Sequence, residues 1–593
     1  MNRVLDNGAE TETQFSPDHS LVEDPKEKAR HLDRSVRSTR SGETRFTAIA
    51  HYLLLITSAV FFALRFLHLT ADFPNGSRWE DWSKYTDEGW YGDAAIRHFL
   101  LGHWRIPGDF NPAAALPIWP LMESAVFHYT GVSLIAARVL VLCVLGISLA
   151  LLYWLVRRYA SPLAAALAVF LIATSSFSYA FSRLAILEPP LTMLWLLALL
   201  TASYATPRRW WTWIATGVLA AAMVLTKTTG ATLLPAIAVI FCCRMWPQKK
   251  ECHSDPEHTE GEESQQSQAA KIQPKVSTES SAAGWPTFLL ASLIATTTAA
   301  GIYAIYFYKL IKPHYYADFH YLFTDANPTP KISLHNLVFM TREALHAALW
   351  IDRILYPTAL GVLILSLFWL RNLWRNPLYT ATWAAIAGYM VFVIIHSNMQ
   401  PRYFHLLLLP TVIILALAFN EILKREGSSP RLSQRPIWQR STALLLTTTL
   451  AALAIATTIN ITETIRYVTH PEYTFINAAD NVARIIRADR KHPQLLLSIS
   501  GSELTLITQI PSICDDFGTQ DLETKAVQYK PGWYAAWNEL DEGTMSDITP
   551  HFRLREVAHF KAFDDPDRDI LILYRMTPRT KRAPRRAHPT SAD

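Results

Sequence analysis

Four short stretches of this chain set ionisable residues at the borders of apolar runs, where they could do chemistry. The first, WEDWSKYTDEGWYGDAAIRHFLLGHWRIPGDFNPAAALPIWPLM, carries Asp87, Glu88 and Asp93. A carboxylate held near a headgroup layer can act as general base toward a hydroxyl or an amine. The same acids would also serve simply as negative charge at a helix N-terminus. The second stretch, SRLAILEPPL, sets Arg183 five residues before Glu188, which precedes two prolines. Ionisable groups at a membrane boundary are functional candidates; the alternative is an Arg183–Glu188 pair that only fixes a turn. In the third, VLTKTTG, Lys227 ends an apolar run among Thr226, Thr228 and Thr229. It either contacts a phosphate or snorkels to the interface. The fourth, HSNMQPRYFHLLLLP, offers Arg402 as a bidentate phosphate ligand. Its His396 and His405 read as interfacial residues rather than metal ligands.

These residues need elements to hold them. Half of the 593 residues are apolar and 18% are charged. The apolar residues fall in blocks, many reaching the roughly 20 residues that cross a bilayer core. The expected fold is therefore an α-helical polytopic membrane protein of about eleven transmembrane helices, with a small C-terminal extracytoplasmic α/β domain. The spans are expected at 46–69, 134–155, 162–179, 190–204, 211–225, 231–241, 285–306, 354–369, 379–395, 404–422 and 443–461. The 19 tryptophans and 23 tyrosines suit a lipid–water interface. A net charge of +5 makes no case for nucleic acid. Five cysteines with no CxxC pair argue against a disulfide framework or a zinc site.

Basic residues set the orientation. Arg34, Arg37, Arg40 and Arg45, Arg157–Arg158, Arg208–Arg209, Lys249–Lys250, Arg371 with Arg375, and the run Lys424 to Arg440 fall on one side, expected to be cytoplasmic. The first outer loop (70–133), a loop near 308–350 and the C-terminal region fall on the other. Residues 1–45 read as a disordered cytoplasmic tail, and the first apolar block as a signal anchor. The polar segment 246–284 reads as a disordered cytoplasmic linker and 577–593 as a disordered basic tail. The membrane domain thus runs over 46–465 and the outer α/β domain over 466–576. In that domain Phe475, Ile476, Ala479, Val482, Ile485 and Ile486 recur at helical spacing. LLLSIS (495–500) and DILILYRM (569–576) read as strands, and the bland reading of the whole is a lid or stabilising cap. In the first loop, Trp90, Tyr91, Ala94, Ala95, His98 and Phe99 suggest a short interfacial helix facing the bilayer. By this topology all four stretches emerge on one face, around one cavity. That suits a reaction needing a base and stabilisation of a phosphate leaving group.

In this order, DEGWYGDAA (87–95), RLAILEPPL (183–191), LTKTTG (225–230) and RYFHLLLLP (402–410) resemble the type C glycosyltransferases of the protein O-mannosyltransferase and aminoarabinose transferase superfamily. The resemblance covers residues 46–425. It implies a membrane enzyme that moves a sugar from a polyprenyl-phosphate carrier to an extracytoplasmic protein, lipid or glycan acceptor, with inversion. Under it Asp87 is the base, Glu88 its partner in the acidic pair, and Glu188 the second acid. Lys227 and Arg402, with Arg183, contact the carrier phosphate; Tyr91 and Tyr403, inside the matched motifs, are further substrate contacts. No cofactor is required, and a divalent metal is left open should Asp87 and Glu188 converge. The expected location is a bacterial inner membrane, N-terminus inside and C-terminus outside. NPAAALPIWPL (111–121) departs from a His-Pro-Pro-Leu-like segment, and Thr228 stands where glycine is common; both bear on donor and acceptor identity. Two rival readings remain at this stage: a transporter or lipid flippase, and a non-catalytic assembly protein with an outer partner-binding domain.

Overall fold

A computed structural model of the chain describes residues 47–246, 284–326, 333–396, 399–427 and 437–579. The expected tail 1–45 lies outside the described residues, as do the expected basic tail 577–593 and linker 246–284 except for Trp246, Gly284 and residues 577–579, of which Thr577 and Pro578 belong to the last strand rather than to a disordered tail. Two compact units are distinguished, Met1–Leu53 and Leu54–Asp593. Among the described residues, the first contains only the opening turns of α1 (Thr47–Leu64); every element below belongs to the second.

Helices dominate to residue 488. Two helices lie within the first loop, α2 (Asp87–Leu101) and α3 (Ile118–Thr130), before the long α4 (Leu134–Tyr159). The single span expected at 162–179 is broken in two, α5 (Pro162–Thr174) and α6 (Ser176–Phe181). Ser175 leaves the helix in an extended conformation and caps the next one by accepting from the Ser178 N–H at 3.1 Å. Then follow α7 (Glu188–Ser203), α8 (Trp211–Thr226), α9 (Leu234–Met245) and α10 (Trp285–Tyr306). The region near 308–350, expected as a loop, holds α11 (Tyr316–Thr324) and α12 (Leu334–Ile351). Polar residues interrupt their apolar ones, so periodicity rather than hydropathy marks them. The bundle ends with α13 (Leu355–Phe368), α14 (Pro377–Ile395), α15 (His405–Gly427) and α16 (Ile437–Thr469). Among the described residues, seven helical stretches are long and apolar enough to cross a membrane, with shorter apolar helices at Pro162–Thr174, Trp211–Thr226 and Leu355–Phe368. The protein is an integral membrane protein.

A helix that is apolar all round belongs inside a bundle. Accordingly Ala164, Ala165, Ala166 and Ala168 of α5 are fully buried, as is most of α15 from Leu406 to Ala418. In α10, by contrast, only Ala291 is buried. Arg65, within the first expected span, is fully buried where α1 ends. Its cost is offset by donating to the carbonyls of Phe61 (2.9 Å) and Ala173 (2.7 Å).

The C-terminal region starts with α17 (Thr474–Ala488), and the expected strands appear as β1 (Leu496–Leu497) and β5 (Ile570–Pro578). Around them stand α18 (Gly501–Thr508), β2 (Ser512–Ile513), α19 (Leu522–Tyr529), β3 (Trp533–Trp537), α20 (Glu542–Ile548) and β4 (Phe552–Lys561). The sheet order is β2-β1-β3-β5-β4, with the first three strands parallel and β5 antiparallel to both its neighbours. This domain shares a core with the first loop. Tyr85 packs among Phe475, Trp537 and Phe563. Asp72 caps α17 by accepting from Phe475 N (2.8 Å) and Ile476 N (3.1 Å), a cap of about 1 kcal/mol. The Lys84 ammonium lies 2.6 Å from the Asp565 carboxylate.

Candidate active site

Four of the expected site residues sit at helix ends. Asp87 opens α2 and Glu188 opens α7, where two prolines occupy positions that need no N–H. Both acids therefore lie at the positive end of a helix dipole. Lys227 leaves α8 in an extended conformation, and Arg402 sits in the 3-10 turn Pro401–Phe404 that leads into α15. All four side chains are buried.

The structure brings them together as two ion pairs. The Arg402 Nε lies 3.0 Å from Asp87 Oδ2. The angle is not that of a hydrogen bond, so Oδ2 is shielded from solvent yet has no donor. The Thr86 hydroxyl is 3.1 Å from the other oxygen, Oδ1. Lys227 Nζ pairs with Glu188 Oε1, and Glu188 Oε2 likewise has no donor. Tyr403 joins the pairs: its ring centroid is 5.0 Å from Lys227 Nζ and 5.1 Å from Arg402 Cζ. Tyr91 of α2 feels the charges of Asp87, Arg402 and Glu188. Burial, with Asp81 and Glu188 nearby, pushes the Asp87 carboxyl up to about 6, against the pull of Arg402 and Lys227. Burial and the Asp87 charge likewise raise the Tyr91 phenol well above its ordinary value.

One residue of this network was not singled out in the sequence. Asp81 accepts from the Arg402 backbone N–H at 2.8 Å and pairs with the Arg402 guanidinium. It also caps the turn Trp82–Lys84 by accepting from Ser83 N at 2.8 Å. The signal was its place six residues before Asp87 in a loop rich in aromatics. His405, read as interfacial, is instead buried, and neither of its ring nitrogens has a partner.

Two expected site residues go elsewhere. Glu88 was grouped with the catalytic acids, but its carboxylate is saturated. It receives Arg138 Nε at 2.8 Å and Nη2 at 2.5 Å, and the Ala185 N–H at 2.8 Å. It is a strut tying α2 to α4 and to the turn before α7. Arg183 was grouped with the phosphate contacts, but it donates to the backbone carbonyls of Leu67 and His68 and to the Tyr179 hydroxyl. It closes the exit of α1 onto α6. Half of the helix face expected to meet the bilayer is covered by protein, while Tyr91, His98 and Phe99 are half-buried. Trp90, Ala94 and Ala95 are buried, and the Trp90 indole N–H donates to the Ile499 carbonyl at 3.1 Å. A divalent ion between Asp87 and Glu188 does not fit, because each acid already meets a side-chain cation. Among the described residues no three His, Cys, Asp or Glu side chains converge as a ligand set.

An apolar cavity of about 590 Å³ lies between α2, α3, α8 and α10. Ala94 of α2, Ile118 and Leu121 of α3, Leu225 of α8, and Ile302 and Tyr306 of α10 line it. Leu225 is two residues from Lys227.

The family model for dolichyl-phosphate-mannose-protein mannosyltransferase matches residues 114–252. The structure is similar to ArnT from Cupriavidus metallidurans in the apo state: TM-score 0.52, 13% identity, covering 89% of this chain and 98% of that one. The fold is that of a type C glycosyltransferase. ArnT bound to undecaprenyl phosphate matches at TM-score 0.51 and 12% identity, over 90% of this chain and 98% of that one. The apo oligosaccharyltransferase of Archaeoglobus fulgidus matches at TM-score 0.46 and 12% identity, over 84% and 70%. No curated protein matches. The resemblance drawn from the four sequence motifs is thus borne out.

Proposed function

We propose that the protein transfers a sugar from a polyprenyl-phosphate carrier to an extracytoplasmic acceptor. The observation that carries this reading is Asp87 Oδ2: buried, next to Arg402, and without a hydrogen-bond donor. Asp87 takes the proton of the acceptor hydroxyl or amine as that atom bonds to the anomeric carbon. The bond from that carbon to the phosphate oxygen breaks on the opposite side, the configuration inverts, and the polyprenyl phosphate departs with the electron pair. Arg402 and Lys227 stabilise the phosphate charge. Glu188, whose Oε2 is free of donors, positions the acceptor, and Tyr91 and Tyr403 wall the site. Glu88 and Arg183 are left out of the chemistry. The apolar cavity that passes Leu225 suits the carrier chain, since burying each CH₂ contributes about 0.8 kcal/mol. ArnT is known bound to undecaprenyl phosphate, and the same class of donor is proposed here.

The proposal includes eleven spans: the seven long apolar stretches, the three shorter apolar helices and α7. It places the N-terminus in the cytoplasm and the site and C-terminal domain outside, in a bacterial inner membrane. Purified protein incubated with short-chain polyprenyl-phosphate sugars and membrane-extract acceptor should release polyprenyl phosphate, and Asp87→Asn should not. Near-normal release by Asp87→Asn would remove Asp87 from the mechanism.

A further inference from the structure

The helix that begins with Asp87 lacks an ordinary cap. The first N–H groups of any helix have no acceptor within it, and the residue before the helix usually supplies one through its side chain. Thr86 does not. Its hydroxyl is turned instead to the Trp82 carbonyl (2.8 Å) and to Asp87 Oδ1 (3.1 Å), and its single proton serves one of them at a time. The orphaned Gly89 N–H is taken from 414 residues away, by Glu503 Oε2 at 2.7 Å.

This contact is built into the sequence on both sides. A Cβ at Gly89 would stand 2.1 Å from Glu503 N and 2.2 Å from the Ser502 carbonyl carbon, so only glycine lets the two backbones meet. Glu503 is 1% exposed. Further along α2, the Ser502 hydroxyl donates to Asp93 Oδ1 at 2.8 Å, and Trp90 donates to the Ile499 carbonyl. The residues at the start of α18 thus grip the first two turns of α2, and no hydrogen bond from Glu503 to Asp87 is needed for this to fix where Asp87 points.

We propose that Glu503 is a positioning residue: the C-terminal domain caps in trans the helix that carries the base, and so sets the orientation of the Asp87 carboxylate. This rests on the reading of Asp87 as base. It gives the domain a part in turnover beyond that of a lid, though Glu503 itself touches no substrate.

The test compares full-length wild type, Glu503→Ala, Glu503→Gln and Asp87→Asn in the polyprenyl-phosphate release assay, reading kcat, donor KM and the thermal midpoint. Glu503→Ala should lower kcat tenfold or more with donor KM changed less than twofold. Glu503→Gln, whose amide oxygen still accepts from Gly89, should recover most of kcat. Should Glu503→Ala fail to fold, Glu503→Asp, which draws the carboxylate back by one methylene, should lower kcat in the same sense. Wild-type kcat in Glu503→Ala or Glu503→Asp, or equal loss in Ala and Gln variants, overturns the proposal. So does a lowered thermal midpoint with unchanged kcat per folded molecule. Activity in Asp87→Asn would instead sink the base assignment itself, whatever the Glu503 variants do.

Discussion

If Asp87 is the base, activity must depend on its ionisation, and Arg402 must govern where that dependence falls. Only the carboxylate can take a proton, so kcat/KM should rise with pH and reach half its plateau near pH 6, the value to which burial pushes Asp87. Arg402 opposes that rise from 3.0 Å away. With an effective dielectric of about 20, two unit charges at that distance interact by about 5 kcal/mol, an upper bound because neighbouring charges readjust. At about 1.4 kcal/mol per pH unit, Arg402→Gln should move the acidic limb upward by at least about one unit and at most about four. The sign is fixed: losing a cation stabilises the protonated acid. Asp81, which pairs with the same guanidinium, would be left as an uncompensated negative charge and adds to the movement. The plateau should fall as well, through lost phosphate contact, but the position of the limb is independent of the plateau. The assay is phosphate release from a saturable short-chain donor between about pH 5 and 9, fitted for limb and plateau separately. A limb that stays put, or moves to lower pH, would refute the assignment of Asp87 as the titrating base.

Glu88→Gln should break a buried pair with Arg138 and cost about 3–5 kcal/mol of stability. Thermal unfolding should register this loss while the protein that remains folded keeps the wild-type pH profile. In a Glu188→Gln background, which avoids stranding a buried acid, adding Lys227→Met should raise donor KM by about 10- to 150-fold, the worth of one charged hydrogen bond of about 1.5–3 kcal/mol; steady-state titration of the donor measures it. Asp93 is pushed up to about 7 by burial, against the pull of Arg97. An acid with a raised folded value binds more protons folded than unfolded. Its contribution to stability is therefore lost as pH rises from about 4 to 7. Asp93→Asn should flatten that decline in denaturant midpoints measured across the window.

The sequence carried the membrane fold because bilayer thickness imposes a length that apolar blocks must reach, and every expected span corresponds to described helix. It carried Asp87, Glu188, Lys227 and Arg402 because buried charge beside apolar runs is costly and therefore conspicuous. It singled out Asp87 as the base but could not show that Glu88 turns away from it. Adjacent residues on a helix point about 100° apart, and which one meets Arg402 and which meets Arg138 is decided by α4 and by the turn before α15, far along the chain. Arg183 was misread for a related reason. Its partners are the Leu67 and His68 carbonyls, and every residue has a carbonyl, so no side-chain pattern announces them. The helices within 308–350 were missed because hydropathy, the measure that finds spans, is blind to amphipathic segments.

The pairing of each acid with its own cation also bears on how such a site can be kept in a membrane protein at all. A lone carboxylate at this depth would cost several kcal/mol or take up a proton. Arg402 pairs with Asp87 and Lys227 with Glu188, and Asp81 in turn pairs with Arg402. On the proposed mechanism the same two cations are what a phosphate would recruit. Donor binding would then draw positive charge off Asp87 and make it a stronger base once the reacting carbon is in place. The absence of hydrogen-bonding geometry between Arg402 and Asp87 Oδ2 matters in this light. A charge contact can be redistributed without first breaking a directional bond, whereas the saturated Glu88–Arg138 pair next to it is built to stay.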